Sequence, residues 1–107
     1  MLTPENRQLA EAFKAKLFEA GIQPLQFIVF GSRARGDFEE YSDLDVMIVL
    51  DDLTDEIRAR ISHISWELGF ERNVIISPVT FTSAQLQSGP HRALPLLKVV
   101  KQEGIAV

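Results

Sequence analysis

The sequence predicts an α/β (α+β) fold, a small mixed β-sheet packed with helices. Three observations predict it. Leu9, Phe13 and Leu17, and later Ile57, Ile61, Ile64 and Leu68, recur at helical spacing. Three short runs, 25–30, 43–50 and 73–81, are rich in branched and aromatic residues. Glycine, proline and small polar residues separate these segments. The order is helix, strand, strand, helix, strand, helix, which builds a sheet backed by helices.

Each element has a local cause. Thr3 caps a first helix over about 4–20, with Pro4 at its first position and Gly21 as its stop. Residues 25–30 (LQFIVF) read as a mostly buried strand ended by Gly31. Residues 43–50 (DLDVMIVL) open with polar–apolar alternation and continue as a buried run. Thr54 caps the next helix, Asp55 and Glu56 suit the positive end of its dipole, and Gly69 closes it. Pro78 lacks an N–H, so strand 73–81 lies at a sheet edge or breaks there. Thr82 or Ser83 caps a short helical turn broken at Gly89-Pro90, and a last helix covers about 94–103 before Gly104.

The 107 residues fit one domain, 1–107, with 46% hydrophobic and 24% charged residues. A net charge of −4 argues against broad capture of nucleic acid or an anionic membrane. Without cysteine there is no disulfide and no thiolate zinc site. No apolar run approaches the roughly 20 residues of a membrane span, and the N-terminus lacks a signal-peptide pattern, so the expected location is the cytoplasm.

The stretch 30–46 (FGSRARGDFEEYSDLDV) concentrates the chemistry. Gly31, directly after a buried strand, lets the backbone turn sharply and approach a ligand. Ser32 adds a hydroxyl and an N–H, and Arg33 and Arg35 add positive charge, a combination suited to a polyphosphate. Asp43 and Asp45, two apart on a strand, project from one face while Leu44 and Val46 point to the other. Two adjacent carboxylates repel unless a cation sits between them, and such hard oxygen ligands on Mg²⁺ (or Mn²⁺) serve nucleotidyl transfer. Asp51 and Asp52 close the same strand, roughly 20 Å away at about 3.3 Å per residue, too far for the same site. Tyr41 reads as a packing residue, Asp37 and Ser42 as supports of the loop, and Trp66 as a neighbour of Phe70.

Gly31-Ser32, ten intervening residues, then Asp43-Leu44-Asp45-Val46 resembles the signature of the DNA-polymerase-β-like nucleotidyltransferase superfamily. Gly31-Ser32-Arg33-Ala34-Arg35-Gly36 with Ser42-Asp43-Leu44-Asp45 looks like its minimal branch, small prokaryotic domains often paired with a HEPN-domain protein as toxin and antitoxin. The resemblance spans nearly the whole chain and implies a palm-like fold. By it, Gly31 and Ser32 would hold nucleotide phosphates and Asp43 and Asp45 would bind Mg²⁺. AMP would pass from ATP to a hydroxyl, in antitoxin members a tyrosine of the partner toxin. Catalytic members usually carry a third acid on the next strand, where this chain has none. Glu71 just before it, or the uncharged Asn73 or Ser77, are the candidates for that position.

Two functions are compatible with these residues. The first is an enzyme transferring a nucleoside monophosphate to a hydroxyl, the expected acceptor being a partner protein such as a HEPN protein. The second is a catalytically weakened nucleotide- or partner-binding module. Action on nucleic-acid ends is disfavoured by the charge, and self-association is left open.

Overall fold

The computed structural model describes residues 2–88 and 94–107. Helix α1 (Pro4–Glu19) leads to β1 (Gln26–Phe30), a single turn α2 (Ser32–Arg35), β2 (Leu44–Leu50), α3 (Asp55–Arg72) and β3 (Ile76–Thr82). Then come α4 (Ser83–Gln87), α5 (Pro95–Glu103) and a two-residue strand β4 (Ile105–Ala106). The sheet order is β3-β2-β1-β4, with β2 parallel to β3 and the other pairs antiparallel. The mixed sheet backed by helices is the expected architecture. Among the described residues no helix is long and apolar enough to cross a membrane.

The caps read from the sequence are present. Thr3 and Thr54 side chains accept from the N–H groups of Asn6 and Ile57, both at 3.1 Å. Thr82 and Gln85 form a reciprocal capping box at α4. Two expectations need correction: where α3 ends, and where the third strand begins, at Ile76 and not at Asn73, which caps α3. Helix α3 does not close at Gly69 but continues to Arg72, and Asn73 supplies the left-handed cap at φ 57°. Gly69 is required for closeness instead: a Cβ there would strike the Val74 carbonyl oxygen. Strand β4 adds to the expected elements, because two residues carry no periodic signal. The expected break at Gly89-Pro90 lies outside the described residues.

Alternation along the strands builds two apolar layers. Phe27, Val29, Leu44, Val46, Ile48 and Leu50 pack with Leu9, Phe13, Leu17, Ile61 and Leu68 of α1 and α3. Phe30, Met47, Val49 and Phe81 pack with Val100 of α5 on the other face. Strand β3 is an edge, as Pro78 requires. Leu44 N–H donates to Ile75 O at 2.8 Å, and the alternation of a parallel ladder then turns the Pro78 nitrogen away from β2.

Candidate active site

The site forms where β1 ends and β2 begins. The two strands are antiparallel with Phe30 opposite Asp45, so the long connection returns the chain to the sheet end it left. Gly31 makes the turn at φ 80°, a conformation that favours glycine. A Cβ there would collide with the Asp45 carboxylate, so only glycine lets the backbone lie this close to the acid.

Leu44 and Val46 are fully buried in the α1–α3 layer, and Met47 and Val49 in the α5 layer. Period two therefore sends Asp45, and Asp43 just before the strand, to the α5 side. On the other flank, Ser77 stands opposite Asp45 in the parallel ladder and its hydroxyl donates to Asp43 Oδ2 at 3.1 Å. Asp43, Asp45 and Ser77 thus meet at one corner, with Gly31 beside them. Ser77 is one of the three sequence candidates for the third position, and here it supplies an oxygen without a charge.

Burial pushes the Asp45 carboxyl above its usual range, the neighbouring Asp43 pushes the same way, and Arg35 opposes both. A partly buried carboxyl facing a second carboxylate is the environment that a divalent cation relieves. The donor set, two hard carboxylates and a hydroxyl, fits Mg²⁺ or Mn²⁺. Glu71 does not join it. Glu71 is exposed on the last turn of α3, and no three His, Asp or Glu side chains gather as a metal site among the described residues.

The two arginines divide. Arg35 stands at the corner, where its charge acts on Asp45, and donates to Glu103 and Asp37. These two acids raise its own pKa, Glu103 first. Arg33, expected at phosphate, is instead buried at 8% exposure and fully engaged. It donates to Asn6 Oδ1 of α1 at 2.7 Å, to Ser42 O at 2.9 Å and to Glu40 O at 3.5 Å, with Phe38 against its guanidinium. Burial behind α1 explains the difference: Arg33 clamps the loop that delivers Asp43 and does not face the corner. Ser42 supports that loop as expected, its hydroxyl accepting from Glu39 N–H at 2.9 Å. Tyr41 departs from expectation; at 87% exposure it is no core packing residue.

Glu103 escapes sequence reasoning. Its carboxylate accepts from the Gly31 N–H, and no motif links residues so far apart. A cleft of about 910 Å³ runs along α3 and β3 past Trp66, Phe70 and Ile75. It reaches the corner through Ser42 and Ser77, and neither Asp43 nor Asp45 lines it, so it lies beside the site and is not the site itself. Trp66 and Phe70 stack at 5.6 Å, as expected, but both remain exposed.

A strand, a glycine turn beside paired acids and a parallel third strand define a class, and comparison with known proteins gives the same one. Residues 7–104 match the model of the nucleotidyltransferase domain, and the chain belongs to that family of transferases. A candidate protein adenylyltransferase of Methanocaldococcus jannaschii is 36% identical over 55 residues, 50% of this chain and 56% of that protein. The chain therefore matches little more than half the length of that relative. A solved structure described as a candidate minimal nucleotidyltransferase is 25% identical with a TM-score of 0.66, covering 100% of this chain and 97% of that one. The toxin–antitoxin complex MntA–HpeT contains a chain 26% identical with a TM-score of 0.59, covering 91% of this chain and 70% of that one.

Proposed function

We propose that this domain transfers AMP from ATP to a hydroxyl of a partner protein, with Asp43 and Asp45 holding Mg²⁺, in the cytoplasm. The observation that carries the reading is the corner itself: Gly31 lies against the Asp45 carboxylate, and Ser77 binds Asp43. The name of the archaeal relative supports adenylyl transfer to protein, and the toxin–antitoxin neighbour supports a toxin as partner, of HEPN type by the sequence resemblance.

Each residue has a task. Gly31 N–H, Ser32 and Arg35 bind the phosphates distal to the reacting phosphorus. Asp43 and Asp45 hold the cation, which when bound neutralises the triphosphate and aligns entering and leaving oxygens. Ser77 keeps Asp43 oriented. The acceptor oxygen forms its bond to the α-phosphorus as the bond to pyrophosphate breaks. With no third acid assigned to the cation, the acceptor proton leaves to water. One carboxylate fewer also makes for weak metal binding and slow turnover.

The test is titration of ATP with Mg²⁺ into the wild type and into Asp43→Asn/Asp45→Asn. Metal-dependent binding confined to the wild type is the expected result. A folded wild type that does not bind would turn the reading toward a pure partner-binding module.

A further inference from the structure

Two of the groups assigned to the nucleotide's phosphates already hold an anion. Glu103 Oε1 accepts from the Gly31 N–H at 3.3 Å, and both its oxygens accept from Arg35 Nη1, at 3.0 and 3.1 Å. The side chain is only 18% exposed. The next two residues of the chain hold it in place. Gly104 N–H donates to Val100 O at 2.8 Å, a Cβ at 104 would strike that oxygen and Ile28, and Ile105 pairs with Val29 of β1.

An anion accepting from one amide and one guanidinium makes the contacts that a phosphate oxygen would make with the same donors. The single Gly31 N–H cannot serve both, and a carboxylate beside it repels an arriving phosphate. We infer that Glu103 is a resident anion of the phosphate subsite, standing in for a nucleotide phosphate in the free protein and lowering nucleotide affinity until it moves aside. This rests on the assignment of Gly31 and Arg35 to phosphate made above. Asp37 keeps a second carboxylate on Arg35, at 3.2 Å, so the arginine stays paired when Glu103 leaves. Because Glu103 ends α5, nucleotide entry draws on the C-terminal segment as well as on the motif loop.

The experiment is calorimetric titration of ATP with Mg²⁺ into the wild type, Glu103→Gln and Glu103→Ala, each checked for folding by thermal melting. The expected result is binding roughly two- to fivefold tighter in the variants, the range set by a part-exposed ion pair. Should Glu103→Ala fail to fold, Glu103→Gln keeps the shape without the charge and decides alone. Equal or weaker binding by a folded variant overturns the inference and leaves Glu103 as a residue that orients Arg35. Absence of binding in wild type and variants alike overturns it together with the phosphate assignment beneath it.

Discussion

Asp45 is a carboxyl that folding places at a disadvantage. Its pKa lies above the ordinary aspartate value, chiefly through burial and next through Asp43. The folded state therefore keeps this proton to higher pH than the unfolded chain, and stability falls as pH rises from the ordinary carboxyl range through the raised value. Above the raised value the cost is complete. In chelator, Asp45→Asn is expected to melt higher than the wild type at pH 7, by an amount under about 1 kcal/mol because the group is only part-buried. The gain should vanish in acid, and melting curves at both pH values read it. Ser77 allows the opposite manipulation. Ser77→Asp sets a third carboxylate opposite Asp45 and next to Asp43, so it should destabilise the metal-free domain and raise its response to Mn²⁺ or Mg²⁺. A variant whose melting point is indifferent to the metal would refute the three-oxygen corner.

Among the elements, the loop between β1 and β2 depends on Arg33. Its guanidinium ties Asn6 of α1 to the carbonyls of Glu40 and Ser42, so Arg33→Ala removes a buried clamp and leaves those acceptors exposed to water or unpaired. A loss of about 2–4 kcal/mol is expected in denaturant unfolding, and weaker ATP binding should accompany it because Asp43 is no longer delivered. The same element shows where sequence reading succeeds and fails. Strands β1 and β2, the caps at Thr3 and Thr54 and the meeting of Gly31 with Asp45 are legible because they rest on short-range pattern: period two, period 3.6 and a glycine at a strand end. The fate of Arg33 is not, since an arginine two residues after a glycine turn looks the same whether it faces ligand or core. Glu103 is illegible for a related reason, its partners being distant in sequence. Gly69 looks like a helix stop because glycine often is one; here the close pass of the Val74 carbonyl demands it, and Gly69→Ala should cost about 1–3 kcal/mol in the same unfolding experiment.

For the whole molecule, ligand and fold are linked. A chain of 107 residues buries a modest core, so a ligand that binds only the folded state should be visible in its melting temperature. ATP with Mg²⁺ at a hundredfold its dissociation constant adds about 2.7 kcal/mol. That corresponds to a shift on the order of 10 °C or more for a domain of this size. Chelation of the metal should abolish the shift, and differential scanning fluorimetry measures both arms. A metal-independent shift of the same size would place the nucleotide away from the paired acids.

Pro78 has a consequence at this scale too. In the sheet order β3-β2-β1-β4, β3 is the longer of the two end strands, and among the described residues no strand pairs with its outer side. An intruding strand, from a misfolded copy or a growing fibril, would seek a continuous row of amide donors there. It meets a gap in the middle of β3, where the proline ring nitrogen points outward and offers no hydrogen. The chain thus carries its guard against strand-by-strand aggregation one residue from Ser77, so replacing Pro78 to improve the sheet would unseal that flank beside the paired acids.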